Sequence, residues 1–335
     1  VTVGGASFTA RRGVVIATGT TPSVPPVPGL ADTPFWSNRD AVAVTEPPAS
    51  LLVLGGGAIG LEFAQAFARF GSVVTVVEVA DRLAALEEPE ASELLAAVLR
   101  REGISVHTGV TVSSAAYDGT RFTLTVDGDS LQADHLLVAT GRRAGLAGLG
   151  LDTVGVDPSL RWLETDDHQR AGDRLWAVGD ITGKGAFTHV AMYQAGIAVR
   201  AILGKEGPAA DYRALPRVTF TDPEIGAVGL TEAAARESGI AVRIGLAQVP
   251  SSARGWIHGP GNDGFIKLVE DTDRGVLVGA TSAGPVGGEV LGALAVAVHA
   301  QVRTETLAQM IYAYPTFHRG IEDALRDLHQ QPAAH

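Results

Sequence analysis

The feature that most restricts this chain is an apolar run that enters a glycine-rich turn. Leu51-Leu52-Val53-Leu54 reads as a buried strand, Gly55, Gly57 and Gly60 follow it, and Ile59, Phe63, Phe67 and Phe70 then recur at helical intervals. Each glycine answers a physical need. Gly55 lets the chain turn sharply, Gly57 leaves room for backbone N–H groups to approach a diphosphate, and Gly60 allows helix and strand to pack closely. The diphosphate would sit at the helix N-terminus, where N–H groups lack intrahelical partners.

Glycine supplies 41 of the 335 residues, so this spacing alone is weak and its context decides. Gly71 suits a helix end, residues 73–77 are valines and a threonine that read as a buried parallel strand, and Glu78 closes that strand. A carboxylate there can accept hydrogen bonds from an adenosine ribose and repel a 2′-phosphate, which favours NADH over NADPH. Arg82 follows closely and leaves NADPH use open. The competing reading is a plain strand, turn and helix with a surface glutamate.

Lys and Arg together number 26 against 37 Asp and Glu, a net charge of -11, which argues against nucleic acid or another polyanion as partner. Cysteine is absent, so the residues present offer no disulfide, thiolate metal site or cysteine nucleophile, in agreement with a cytoplasmic setting. The most apolar late run, residues 290–298, is far too short to span a bilayer, so no membrane association is expected. The chain opens at Val1, with no Met and no signal peptide, which fits either a processed start or a fragment.

In chain order, residues 1–13 resemble the end of a β-hairpin, and residues 13–19 a strand closing in Ala17-Thr18-Gly19. Prolines at 22, 25, 26 and 28 then impose an extended connection. A second Ala-Thr-Gly, residues 139–141, ends the strand 134–138, so the two turns flank a whole nucleotide-binding unit and suggest one domain inserted into another. Inside the insert, residues 89–101 pattern as a helix and 104–107 as a strand. Residues 109–114 and 122–126 read as an antiparallel excursion before the sheet resumes. The order is that of a doubly wound α/β domain.

Residues 175–180, Leu-Trp-Ala-Val-Gly-Asp, form a strand with a carboxylate at its C-terminal end, and Thr188 is placed to cap a helix through Ala201. Such a unit can hold a polyol by Asp180 and a phosphate or ring edge by backbone N–H groups; alternatively Asp180 only shapes a turn. From about residue 215 the pattern changes to short strands (218–220, 241–249, 264–269 and 276–283), then helices over 287–300 and 304–310 with a continuation after Pro315. This is an α+β arrangement, and the apolar run 291–298 implies burial against the sheet or a partner subunit. Arg254, Trp256 and His258 fall in a loop over 251–261, equally readable as a mobile hairpin or a substrate contact.

Together these motifs resemble the flavoprotein disulfide reductases, a family including dihydrolipoamide dehydrogenase, mercuric reductase and soluble pyridine nucleotide transhydrogenase. The resemblance rests on VVIATGTTPSVPPVPG (14–29), LGGGAIGLE (54–62), VATGR (138–142), LWAVGD (175–180), PEIGAVGLT (223–231) and Tyr314-Pro315-Thr316, in that order along essentially the whole chain. It implies a doubly wound NAD domain (51–142) inserted in a partial FAD domain (1–50 and 143–212), with a dimerisation domain over 213–335. It further implies FAD and NAD as cofactors, a homodimer, and hydride passed from NADH through flavin to a small-molecule acceptor, a disulfide, quinone or pyridine nucleotide. By the same resemblance Asp180 holds the flavin ribityl chain, Thr188 lies over the ring system, Gly19 and Gly141 contact cofactor, and Glu62 pairs with a flavin-side lysine.

Two departures from the family matter. Its members open with a separate β-α-β unit for the FAD diphosphate and a helix bearing the redox cysteines, and nothing before Val1 supplies either. The chain is therefore expected to be the C-terminal part of a longer protein that binds flavin poorly by itself; the non-enzymatic alternative is a nucleotide-binding or dimer-forming remnant. The second departure is Tyr314 and Arg319, which stand where disulfide reductases carry an acid–base His and Glu. A tyrosine phenol ionises at about pH 10, so it is a weak base at pH 7 but a competent donor. Tyrosine there resembles mercuric reductase and the transhydrogenase, yet residues 328–335 lack the cysteine pair mercury chemistry needs. His318, placed just inside a helix, reads more simply as a surface or interface residue than as a substitute base.

Overall fold

The structure, a computed structural model, describes residues 1–330. It divides into two compact units, one made of Val1–Ser23 with Arg142–Tyr212 and the other of Val24–Gly141 with Arg213–His335. The chain thus crosses between units beside each of the two Ala-Thr-Gly turns.

In the larger unit, Ser50–Leu54, Val73–Glu78, Ser105–Thr108 and His135–Val138 form a four-stranded parallel sheet, with His135–Val138 beside Ser50–Leu54 on one edge and Ser105–Thr108 on the other. The chain winds outward from Ser50–Leu54 to one side and returns to its other side, which puts a switch point between the C-terminal ends of Ser50–Leu54 and His135–Val138. Alternation divides the strand side chains between two cores. Leu51, Val53, Val74, Val76 and Leu137 meet the helices Ala58–Arg69 and Pro89–Arg101. Leu52, Leu54, Val77, Leu136 and Val138 meet a three-stranded antiparallel meander.

The meander comprises Val112–Tyr117, Phe122–Val126 and Asp129–Ala133, so the sequence expectation of two strands lacks the third. That third strand is polar (Asp129, Ser130, Gln132) and partly exposed, which hides it from a hydrophobicity reading. Residues 24–50 pack in this unit too. Trp36 donates its N–H to Leu136 O and accepts at its carbonyl from Val138 N (2.7 and 2.8 Å), extending the sheet edge, and its ring stacks on His135 at 4.0 Å. Burial pushes the His135 imidazole below its ordinary pKa, against the opposing charge of Asp134.

The same unit holds a five-stranded antiparallel sheet in the order Pro216–Thr219, Glu224–Gly229, Val276–Gly284, Phe265–Asp271, Val242–Gln248. Glu224–Gly229 was legible only as a motif, since its two glycines and alanine mask a strand. One face is covered by Gly287–His299 and Gly320–Gln330 through Leu268, Leu291, Leu294, Leu325 and Leu328. The other sends Ile225, Phe265 and Ala283 into the core beneath the nucleotide-sheet helices. Gly287–His299 is not buried all round: Val290, Leu291, Leu294 and Val298 are inside, whereas Val296 is 65% exposed. Residues 253–258, expected as loop, form a short helix whose cap Ser252 accepts from Gly255 N. His318 precedes the helix Gly320–Gln330 instead of lying within it.

The smaller unit is built on Val14–Ile16 pairing in parallel with Leu175–Ala177, which pairs antiparallel with Arg170–Gly172. Thr20–Pro22 pairs antiparallel with Arg142–Ala144. Among the described residues, no helix is long and apolar enough to cross a membrane.

Candidate cofactor sites

The glycine turn is fixed from three directions. Gly55 adopts φ 113°, and its N–H donates to Val77 O at 2.8 Å. A side chain on Gly55 would meet the Ala139 carbonyl across the switch point, and one on Gly60 would run into the Gly55 carbonyl. Around Gly57, by contrast, nothing lies within 4 Å of where a Cβ would stand. Gly57 is also the extended N-cap of Ala58–Arg69, with no side chain capping the helix among the described residues. The open space and uncapped N–H groups suit a diphosphate, so these residues fit a dinucleotide.

Glu78, at the end of its strand, does more than wait for a ribose. Its Oε2 accepts from Gly56 N at 2.5 Å and its Oε1 from Ala80 N at 2.7 Å. Each carboxylate oxygen can accept a second bond, so ribose hydroxyls can still be received. Arg82 is committed elsewhere: its guanidinium donates to Ala85 O, Glu87 O and Ser92 Oγ at 2.7–2.9 Å. Glu62 accepts from the Phe220 backbone N–H at 2.8 Å through Oε1, a bond to the five-stranded-sheet portion of its own unit. Gly141, at φ 116°, is the last residue before the crossing.

In the smaller unit, Asp180 follows Gly179, held at φ 81°, and opens a short 3-10 turn. Asp180 Oδ2 accepts from Thr20 Oγ1 at 3.3 Å and lies 4.0 Å from Arg142 Nε, and its side chain stays 29% exposed. Arg142 also donates to Thr20 Oγ1 and Thr20 O, at 2.6 and 2.8 Å. Thr188 is not the cap expected from the sequence. It is the first residue of Thr188–Ile202, because Phe187 is extended (φ -132°, ψ 141°) and takes the N-cap place without a capping side chain. Gly19 sits at φ 70° between Val14–Ile16 and Thr20–Pro22. A partly exposed carboxylate, preceded by a glycine packed close to Ala191 of Thr188–Ile202, fits a polyol, the chemistry flavin would ask of it.

The buried group beneath Asp180 is not among the residues singled out from sequence. Gln194, fully buried, accepts from Gly179 N at 2.6 Å and donates to Thr182 Oγ1 at 3.0 Å and Tyr212 Oη at 2.9 Å. A glutamine in the middle of an otherwise apolar helix face is the one signal that could have marked it.

The structure gathers Gly55, Gly57, Gly60 and Glu78 at one switch point, with Glu62 further along the same helix. Gly19, Asp180 and Thr188 belong to the smaller unit. Tyr314 is on neither sheet. It is 69% exposed in the stretch before Gly320–Gln330, with the Arg319 guanidinium 5.4 Å from its ring centre. Arg319 is in turn paired with Glu322 and Asp323 at 3.2 and 3.6 Å.

Residues 2–195 match the pyridine nucleotide-disulphide oxidoreductase family, and residues 215–325 match that family's dimerisation domain. The chain belongs to the pyridine nucleotide-disulphide oxidoreductases. These are enzymes, and family members use FAD and NAD(P)H. Similar proteins include a dihydrolipoyl dehydrogenase of Chlorobaculum tepidum, 36% identical over 94% of this chain and 68% of its own length. A mercuric reductase of Streptomyces lividans is 37% identical over 93% of this chain and 67% of its length. A mercuric reductase of Shigella flexneri is 36% identical over 95% of this chain but only 57% of its length. Among solved structures, the HOCl-induced flavoprotein disulfide reductase RclA of Escherichia coli superposes with a TM-score of 0.85 at 28% identity, covering 94% of this chain and 73% of that one. LpdA of Mycobacterium tuberculosis gives 0.84 at 28% identity, covering 94% and 69%. The oxidoreductase thus has the fold read from its sequence: a doubly wound nucleotide domain inserted in part of a second nucleotide domain, followed by an α+β dimerisation domain.

Proposed function

We propose that this chain is the NADH-binding and dimer-forming portion of a flavin-dependent oxidoreductase that passes electrons from NADH to a second, small-molecule acceptor. The observation that carries this reading is the turn at Gly55–Gly57–Gly60, open at its ligand side, with Glu78 at the adjoining strand end. Residues 51–142 form the NADH domain in this reading, the Asp180 and Thr188 region belongs to the FAD domain, and residues 213–335 form the homodimer contact. Exposed Val296, Met310 and Ile311 support a covered face on that last domain. FAD, when bound, supplies the two-electron relay between nicotinamide and acceptor. Asp180, steadied by Thr20, holds the ribityl hydroxyls, and Thr188, first residue of Thr188–Ile202, lies over the ring system.

NADH is favoured over NADPH. Glu78 places negative charge where a 2′-phosphate would sit, and Arg82 is drawn into the following loop, away from that role. Glu78→Ala is expected to raise the NADH Kd about tenfold or more, since charge-assisted bonds are worth about 1.5–3 kcal/mol each, and to narrow the gap between NADH and NADPH. Fluorescence titration with both nucleotides checks it; unchanged NADH affinity together with unchanged discrimination ends the assignment.

Tyr314 serves as proton donor to the acceptor, with Arg319 stacked on its ring to hold it in place. Tyr314→Phe in FAD-loaded protein should slow acceptor turnover by about 10²-fold, the low end of general acid contributions, and leave the rate of flavin bleaching by NADH as it was. Stopped-flow measurement of both half-reactions tests this, and equal slowing of the two removes the donor role.

A further inference from the structure

The most heavily buried cation of the five-stranded sheet is tied to the dinucleotide turn through one acidic loop. Lys267 is 3% exposed, and its ammonium lies 3.0 Å from Glu88, 2.7 Å from Glu90 and 3.0 Å from Glu232. Burial alone would push the ammonium down; the hydrogen bonds it donates to Glu90, Glu232 and Glu88 more than offset this and hold its pKa above the ordinary value. On the strand Pro216–Thr219, Arg217 grips Glu87 with both ends of its guanidinium, at 2.7 and 2.9 Å. Glu87 and Glu88 are themselves buried, 8% and 2% exposed.

Those two glutamates end a loop that begins at Glu78. Within it, Ala84 N donates to Gly56 O at 2.8 Å, and Leu83 packs so close to Gly56 that a Cβ there would strike it. Ala84 is held at φ 45°, a left-handed conformation that costs an alanine free energy and must be imposed by its surroundings. Glu87 N donates to Ala84 O at 2.8 Å, which passes the position of Glu87 directly to the strained residue. Gly56 N in turn donates to Glu78. The contacts are therefore continuous from Lys267 and Arg217, through Glu88 and Glu87, to Ala84, Gly56 and the ribose-binding carboxylate.

We propose that Lys267 and Arg217, on strands of the five-stranded sheet, are positioning residues for the dinucleotide site, setting the geometry of Gly56 and Glu78 through the loop between them. The inference rests on the dinucleotide reading above. A cluster that only glued the sheet to the nucleotide domain would change stability without changing the affinity of the folded protein. A positioning cluster changes the affinity of protein that is still folded.

The test uses the whole chain with NADH as probe, well below the unfolding temperature of each variant. Lys267→Met keeps the stem and deletes the charge, Lys267→Arg restores the charge, and Glu87→Gln breaks the Arg217 pairing from the loop side. The NADH Kd is expected to rise about tenfold in Lys267→Met and Glu87→Gln, within the range of networks coupled at a distance, and Lys267→Arg should recover most of that loss. Preference for NADH over NADPH should shrink in parallel, because Glu78 is what the loop displaces. Should Lys267→Met fail to fold, Glu87→Gln decides alone. Lowered unfolding temperatures with NADH Kd within twofold of the parent overturn the proposal. A parent chain that does not bind NADH overturns the dinucleotide reading itself, a result distinct from parent binding with unaffected variants.

Discussion

Gly60→Val is expected to abolish NADH binding and to destabilise the larger unit by about 3 kcal/mol or more, the upper range for forced overpacking. A Cβ at this position lands on the Gly55 carbonyl and 3.3 Å from Val53 Cγ1. Gly55 cannot retreat. Its N–H is bonded to Val77 O at 2.8 Å, and its own α-carbon faces the Ala139 carbonyl. Relief must come from moving Ala58–Arg69 away from the sheet, and that helix carries Leu61, Ala64 and Phe67 into the shared core. Gly57→Ala supplies the contrast, since nothing lies within 4 Å of its Cβ. It should leave the unfolding midpoint in place and weaken NADH binding, because the methyl occupies the space the diphosphate needs. Urea unfolding and NADH titration of the two variants separate the effects; NADH binding by Gly60→Val within threefold of the parent would end the close-packing argument.

The legible part of this chain was the part written in backbone requirements and apolar periodicity. Residues 89–101 were read as a helix and are one to the residue, because a proline start and a regular apolar stripe leave little choice. The strand at Val73–Glu78 and the turn at Gly55 were equally plain, since a buried parallel strand and a sharp turn each admit few residue types. Polar and small-residue elements were not. Asp129–Ala133 and Glu224–Gly229 owe their strand form to neighbours already in place, an effect no local pattern carries.

Side-chain partnerships were less visible still. Glu78 was singled out for a ribose, but its two bonds to backbone N–H groups of Gly56 and Ala80 depend on how the following loop folds back. Arg82 was left open as a phosphate ligand because its charge is evident in sequence and its three local acceptors are not. The Lys267 cluster joins that lysine to Glu88 and Glu90, 179 and 177 positions away, beyond the reach of any spacing rule. Thr188 illustrates the converse: a good capping residue loses its place when the residue before it is already extended.

Gln194→Leu is expected to destabilise the smaller unit by about 3 kcal/mol, from one buried N–H left without a partner and two further buried hydrogen bonds lost. Gly179 N–H is the most exposed to this loss, because its only bond in the network is to Gln194 Oε1 and the residue is held at a left-handed φ of 81°. Thr182 keeps its bond to Gly179 O at 2.9 Å, and Tyr212 keeps Gln169 as a donor at 3.1 Å, so neither is stranded. Leucine matches glutamine in bulk, and the loss is therefore one of hydrogen bonds, not of packing. Gln194→Glu should be less stable still at neutral pH, since its carboxylate accepts from Gly179 but brings an unpaired charge into a fully buried site and cannot donate to Thr182 or Tyr212. That ordering matters for chemistry, because Asp180 is the residue next to Gly179 and can hold a polyol only while the turn beneath it is fixed. Urea unfolding at neutral pH should rank parent above Gln194→Leu above Gln194→Glu. If leucine proved as stable as glutamine, the turn would be held by Val178 and Ile181 packing alone, and Asp180 would owe its position to Thr20 and Arg142 instead.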